Sequence, residues 1–139
     1  MGKPKVLVVE DNQDRIAWFK SKMSSAADLF ITEAPEIAIE WLSKNTPALI
    51  FLDHDLGDEV YVNSGTNTGD QVAQQLQFMG SNGHNVILHT CNPIGAVNMK
   101  VRLPFAQVIP FPRLISSTQL EVTLHWLMNK GTIVDALDH

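Results

Sequence analysis

Apolar residues along this chain fall into two alternating patterns: short unbroken runs, and stripes that repeat every three or four positions. Lys5–Val9 (KVLVV) is a short run rich in β-branched residues, the pattern of a strand covered on both faces. Leu29–Thr32, Ala48–Leu52, Val86–Leu88 and Ala106–Ile109 predict four more strands. Between the runs the period lengthens. Ile16, Phe19, Lys20 and Met23, with Trp18 alongside, fall at helical spacing behind Asp11 or Asn12 as a cap. Pro35 suits the first turn of a helix striped by Ile37, Ala38, Trp41 and Leu42. Gly69 to Met79 reads as a helix through Val72, Ala73 and Leu76, stopped by Gly80-Ser81-Asn82-Gly83. Ala96 to Leu103 is a further helix. Gln119 to Met128 closes the chain as a fifth, with Leu120, Leu124, Leu127 and Met128 on one side.

Five strands alternating with five helices predict an α/β fold: a five-stranded parallel sheet flanked by helices on both faces, with right-handed crossovers. No internal repeat, low-complexity tract or linker interrupts the sequence, so one domain over residues 1–139 is expected. The net charge of −5 argues against general DNA binding, which usually shows a basic face. No apolar run reaches the roughly 20 residues of a membrane span. The start of the chain lacks the apolar stretch of a secretory signal. Cys91 is the single cysteine, which excludes a disulfide framework and a multi-cysteine metal site. A cytoplasmic location is expected.

In a parallel sheet of this kind ligands bind at the carboxyl ends of the strands. Glu10 and Asp11 follow the first strand, and Asp53, His54 and Asp55 follow the third. His89, Thr90 and Cys91 follow the fourth, and Pro110 to Arg113 the fifth. An acid after one strand is ordinarily a turn or cap residue. Acids after two neighbouring strands repel one another unless a cation or protons neutralise them. A hard divalent ion, Mg²⁺ most simply, meets that need.

The strings VLVVEDN, LIFLD, VILHT and VIPFP, in this order, resemble a response-regulator receiver domain of the CheY-like superfamily. The resemblance implies that Glu10 and Asp11 hold Mg²⁺, and that Asp53 accepts a phosphoryl group and joins the metal site. It also implies that Asp55 lends its main-chain carbonyl to the metal and that Thr90 contacts phosphoryl oxygens. Two departures stand out. Phe111 precedes Pro112 where receivers carry lysine, and about a dozen polar, glycine-rich residues follow Asp55, a length usually functional or disordered. A narrower resemblance covers both: LDHDLG (Leu52–Gly57), NTG (Asn67–Gly69) and HTCNPIGAVNM (His89–Met99) look like the cyclic-phosphate processing receiver-like domains.

That likeness implies a pocket that binds or hydrolyses a phosphate ester, such as a nucleotide or RNA cyclic phosphate. The partner is then a phosphorylated small molecule or an RNA end, with no membrane. The alternatives are a stand-alone receiver phosphorylated on Asp53 in a phosphorelay, and a pseudo-receiver that binds a protein partner. Strand alternation expects Asp53 and Thr90 to point into the pocket and His54 and His89 to point the other way, toward each other. The histidines have two readings: structural, or site groups beside Asp53 and Asp55 that activate water or ligate metal. As ligands they favour Mn²⁺, Fe²⁺ or Zn²⁺ over Mg²⁺. Asn67, Thr68 and Gly69 precede a helix, so Thr68 is either an N-cap or part of an amide cradle for phosphate. Tyr61 and Phe111 offer flat faces to a base; the other aromatic residues fall at core spacings.

Overall fold

The computed structural model describes residues 3–56 and 68–116. Lys5–Val9 forms β1, Gln13–Met23 α1, Asp28–Thr32 β2, Pro35–Leu42 α2 and Leu49–Leu52 β3. Gly69–Phe78 forms α3, Val86–Leu88 β4, Pro93–Arg102 α4, Gln107–Val108 β5 and Phe111–Ser116 α5. The strands pair in parallel in the order β2-β1-β3-β4-β5. The order reverses between β1 and β3, which is where such a sheet opens a crevice.

Alternation along the strands sorts the core into two layers. Leu7 and Val9 of β1, Ile50 and Leu52 of β3, and Val86 and Leu88 of β4 face Ala38 and Leu42 of α2, Val72, Ala73 and Leu76 of α3, and Met99 of α4. Val6, Val8, Leu49, Phe51 and Ile87 face the other way, onto Phe19 and Met23 of α1 and Leu114 of α5. Both faces of the central strands are therefore covered, and their near-continuous apolar runs follow from that.

The helix starts are set by caps. Asn12 is the N-cap of α1, its side chain accepting from the Arg15 amide at 3.1 Å. Asn92 caps α4, accepting from Ile94 N at 3.1 Å and Gly95 N at 3.0 Å, with Pro93 in the first turn where its missing N–H costs nothing. That cap begins α4 at Pro93, ahead of the expected Ala96. The Gly80-to-Gly83 run does end α3, and Ser81 N reaches back to Leu76 O at 2.9 Å. Phe111–Ser116 is a short helix that the apolar spacing did not announce, because Pro112 reads as a breaker and is tolerated only in a first turn. The expected helix from Gln119 to Met128 lies outside the described residues. Among the described residues no helix is long and apolar enough to cross a membrane.

Candidate functional site

The register carries three side chains into one row. Val9 pairs with Leu52, and Leu52 with Leu88, so the next residues in each strand direction are Glu10, Asp53 and His89. The backbone continues the ladder across them: Asp53 N donates to Val9 O at 3.1 Å and His89 N to Leu52 O at 3.1 Å. All three have the parity of Val8, Phe51 and Ile87 and lie on the α1 side of the sheet. This corrects the sequence expectation that His89 would turn away from Asp53; the expected meeting of Asp53 and Thr90 holds, because the Thr90 side chain hydrogen-bonds to Asp53. Parallel register pairs Asp53 with His89 and His54 with Thr90.

The row is buried and tightly knit. One donor atom from each of Glu10, Asp53 and His89 lies within 4.8 Å of the other two. His89 Nε2 meets Glu10 Oε1 at 2.8 Å, which requires the imidazole proton on Nε2 and leaves Glu10 as acceptor. The second Glu10 oxygen, Oε2, accepts from the amides of Asp11 and Asn12, each at 3.1 Å. His89 is fully enclosed, with Phe19 edge-on at 5.4 Å, and its Nδ1 has no hydrogen-bond partner among the described residues. Asp53 Oδ1 accepts from the His54 amide at 2.9 Å. Its other oxygen, Oδ2, lies 4.0 Å from Arg15 Nη1.

Burial pushes the Asp53 carboxyl up to about 6; His89, a hydrogen bond from the Thr90 side chain and Arg15 oppose the rise, while Glu10 adds to it. Burial pushes Glu10 up as well, but the His89 hydrogen bond and charge, the Asn12 amide and Arg15 outweigh it and hold its carboxyl below the ordinary value. Two buried carboxylates thus share one space at a cost that falls on Asp53. A divalent cation fits the two carboxylates, with His89 donating to one of them, and would remove that cost.

The remaining expected residues are placed as follows. Asp11 is half-buried beside Glu10, and Asp55 is near the surface of the third-strand end; neither belongs to the close trio. Thr90 is buried, and its Oγ1 accepts from Asn92 N at 3.0 Å. His54 and His89 do not face each other. His54 lies on the α4 side, with Nδ1 at 3.1 Å from Asp55 Oδ1 and 3.5 Å from Asn92 Nδ2. The first turn of α4 lies close against its ring: a Cβ at Gly95 would run into His54 Cγ.

Thr68 holds the N-cap position of α3 without a side-chain capping bond, and it bridges Asp55 as an antiparallel pair. The Gly69 amide donates to His54 O at 2.9 Å, and a Cβ there would run into Asp53 O, so α3 starts pressed against the end of β3. That amide serves the fold rather than a phosphate cradle. Asn67 and Tyr61 lie outside the described residues. Sequence reasoning missed Arg15, whose guanidinium Nη1 stands 3.7 Å from Glu10 Oε1.

A parallel five-stranded sheet of this order, with acids at the ends of β1 and β3 and a hydroxyl at the end of β4, defines a receiver-type domain. Residues 6–104 match the cyclic-phosphate processing receiver domain, and the chain belongs to that family. Among solved structures it is similar to the signal receiver domain of a protein described as a Luxo repressor from Vibrio parahaemolyticus. The two are 26% identical with a TM-score of 0.60, over 91% of this chain and 93% of that one. It also resembles the receiver domain of the sensor histidine kinase PA1611 from Pseudomonas aeruginosa, solved with a magnesium ion in its active-site cleft. Identity there is 14% and the TM-score 0.67, over 93% of this chain and 100% of that one. The Francisella response regulator 1452 receiver domain is 17% identical with a TM-score of 0.65, over 91% and 97%. No curated protein matches the chain.

Proposed function

We propose that the Glu10–Asp53–His89 row is a metal-dependent centre that opens or hydrolyses a phosphate ester, a nucleotide or RNA cyclic phosphate by class. The observation that carries this reading is the imidazole: His89 stands inside the acidic row, with Nε2 on Glu10 at 2.8 Å. A carboxylate pair alone serves cation binding, whereas an imidazole bonded into it adds a group that can hold or relay a proton.

Glu10 and Asp53 would hold the cation while His89, donating its Nε2–H to Glu10, orients that carboxylate; Mg²⁺ or Mn²⁺ suits the carboxylate oxygens. Asp11 and the Asp55 carbonyl are further candidates at its edge. When bound, the cation supplies charge neutralisation at the phosphoryl group and acidifies a water. The chain's own residues do the rest. The His54 amide fixes Asp53 Oδ1, so Oδ2 is the oxygen that faces the pocket and takes a proton from water. Burial raises the Asp53 carboxyl to about 6 in the bare row, and the charge of a cation would lower it again, so Asp53 is ionised at neutral pH and can accept a proton. The water oxygen bonds to phosphorus, one ring P–O bond breaks, and the released alkoxide takes the proton from Asp53. The Thr90 hydroxyl donates to Asp53 in the free protein and would turn that one donor to a phosphoryl oxygen when substrate binds.

Incubation with a nucleoside 2′,3′-cyclic phosphate and Mg²⁺ or Mn²⁺ is expected to yield the monophosphate, and Asp53→Asn to abolish it. Normal turnover by that variant would remove Asp53 from the mechanism. The same Oδ2 supports a second reading, phosphoryl acceptance at Asp53 as in signalling receivers. A small phosphoryl donor with Mg²⁺, followed by intact mass, separates the two: a stable adduct lost in Asp53→Asn favours signalling.

A further inference from the structure

We propose that Arg15 grips the phosphoryl oxygens of the substrate and that the ring of Phe111 holds it in place, an inference that rests on the phosphate-ester reading above. Arg15 is anchored at its backbone, because its amide completes the Asn12 cap of α1. Its guanidinium carbon stands 4.9 Å from the centre of the Phe111 ring. That ring is itself braced, edge-on to Trp18 at 5.3 Å and tilted against Phe19 at 6.0 Å. Nη2 makes a weak contact with Cys91 Sγ at 3.7 Å.

Toward the acidic row, the guanidinium stops short. Nη1 is 3.7 Å from Glu10 Oε1 and 4.0 Å from Asp53 Oδ2, both beyond hydrogen-bond length. Arg102 shows what a committed pair looks like here: its Nε and Nη2 fork onto the two Asp70 oxygens at 2.9 and 3.1 Å. Arg15 has carboxylates within reach and does not close on them; the ring, the weak Cys91 contact and loose ion pairs hold it, with a quarter of its side chain open to solvent. Its planar set of N–H donors therefore stays available to an incoming anion. Among the described residues it is the cationic side chain within ion-pair range of both Glu10 and Asp53.

An anionic substrate approaching two carboxylates needs such a cation beside the metal. A guanidinium fork also suits a particular class: a phosphoryl group with two non-bridging oxygens, as a cyclic phosphate presents. Phe111 would act as a positioning residue, giving Arg15 a face to lie on where a side chain of its own could not reach with charge.

The test is calorimetric titration of inorganic phosphate into the full chain with Mg²⁺, alongside turnover of a nucleoside 2′,3′-cyclic phosphate. Arg15→Met is expected to weaken phosphate binding roughly tenfold to a hundredfold and to raise KM in parallel, with Arg15→Lys intermediate because it keeps charge and loses the fork. Phe111→Leu should weaken binding severalfold, and Phe111→Tyr should restore it, a rescue that a general packing defect would not show. Thermal unfolding identifies any variant that fails to fold, and Arg15→Lys then carries the comparison. If Arg15→Met, folded, binds phosphate and turns over substrate within twofold of the parent chain, the Arg15 assignment is wrong while the esterase reading stands. If the parent chain turns over no cyclic phosphate yet loses phosphate affinity on Arg15→Met, the esterase reading fails and the assignment stands. A parent chain that neither binds phosphate nor turns over substrate overturns both.

Discussion

Asp53 has one oxygen bonded to a backbone amide and the other held among a second acid, an imidazole and a distant guanidinium, nearly out of water. Ionising such a group costs the folded chain more than the unfolded one, which is why its pKa is raised from 3.8 to about 6. The sign follows. Stability from this group is complete below the unfolded value, falls as pH rises from about 4 through 6, and stays lost above. A shift of about two units corresponds to roughly 3 kcal/mol. Asp53→Asn should therefore unfold at higher denaturant than the parent chain in metal-free buffer at pH 7.5, and the gap should close by pH 4. A variant that is less stable at both pH values would show that the carboxylate contributes more through contacts than it costs through burial.

How far single residues were legible follows from the same site. Glu10, Asp53 and Thr90 were found because acids and a hydroxyl directly after apolar runs are visible in any reading. His89 was found but faced the wrong way, since parity within one strand says nothing about register with its neighbour. Arg15 escaped notice: an arginine in the first turn of an amphipathic helix has the spacing of any solvated residue. Only the fold reveals that Phe111, distant in sequence, lies beneath it.

Elements were more legible than residues, and their seams less so. All five expected strands and three of the helices keep their places, because burial on both sheet faces forces apolar runs that spacing alone detects. The short α5 after the edge strand carries too few residues to show a period. The seam between α4 and β3 is where an element-scale prediction belongs. Gly95 lets the first turn of α4 rest on the His54 ring, which is itself buried and bonded to Asp55 and Asn92. Alanine there is worth about 1 kcal/mol in intrinsic helix preference. It would also drive a methyl into a ring with nowhere to move, at a cost of about 1–3 kcal/mol. We expect Gly95→Ala to lower the unfolding midpoint, and His54→Ala in the same chain to recover most of the loss. Recovery tests the seat itself: if the double variant is as unstable as the sum of the two single ones, α4 is not held off by the imidazole.

For the whole molecule the topology decides more than any element, because the row exists only when β1, β3 and β4 stand side by side in register. A cation bound there ties three distant segments together in the folded state and has no such site in the unfolded one, so it must stabilise by mass action. At a hundredfold excess over its dissociation constant the gain is about 2.7 kcal/mol. The dependence on pH is fixed by Asp53, which offers a charged oxygen above about 6 and a protonated one below. Mg²⁺ should accordingly raise the melting temperature of the parent chain at pH 7.5, raise it much less at pH 5, and leave Asp53→Asn nearly unmoved at either. The ordering of parent chain and variant then inverts between metal-free and metal-saturated buffer at pH 7.5. The same carboxylate that weakens the fold when the row is bare strengthens it when a cation is shared. If Mg²⁺ stabilises Asp53→Asn as much as the parent chain, the ion binds elsewhere and the row is not the metal centre.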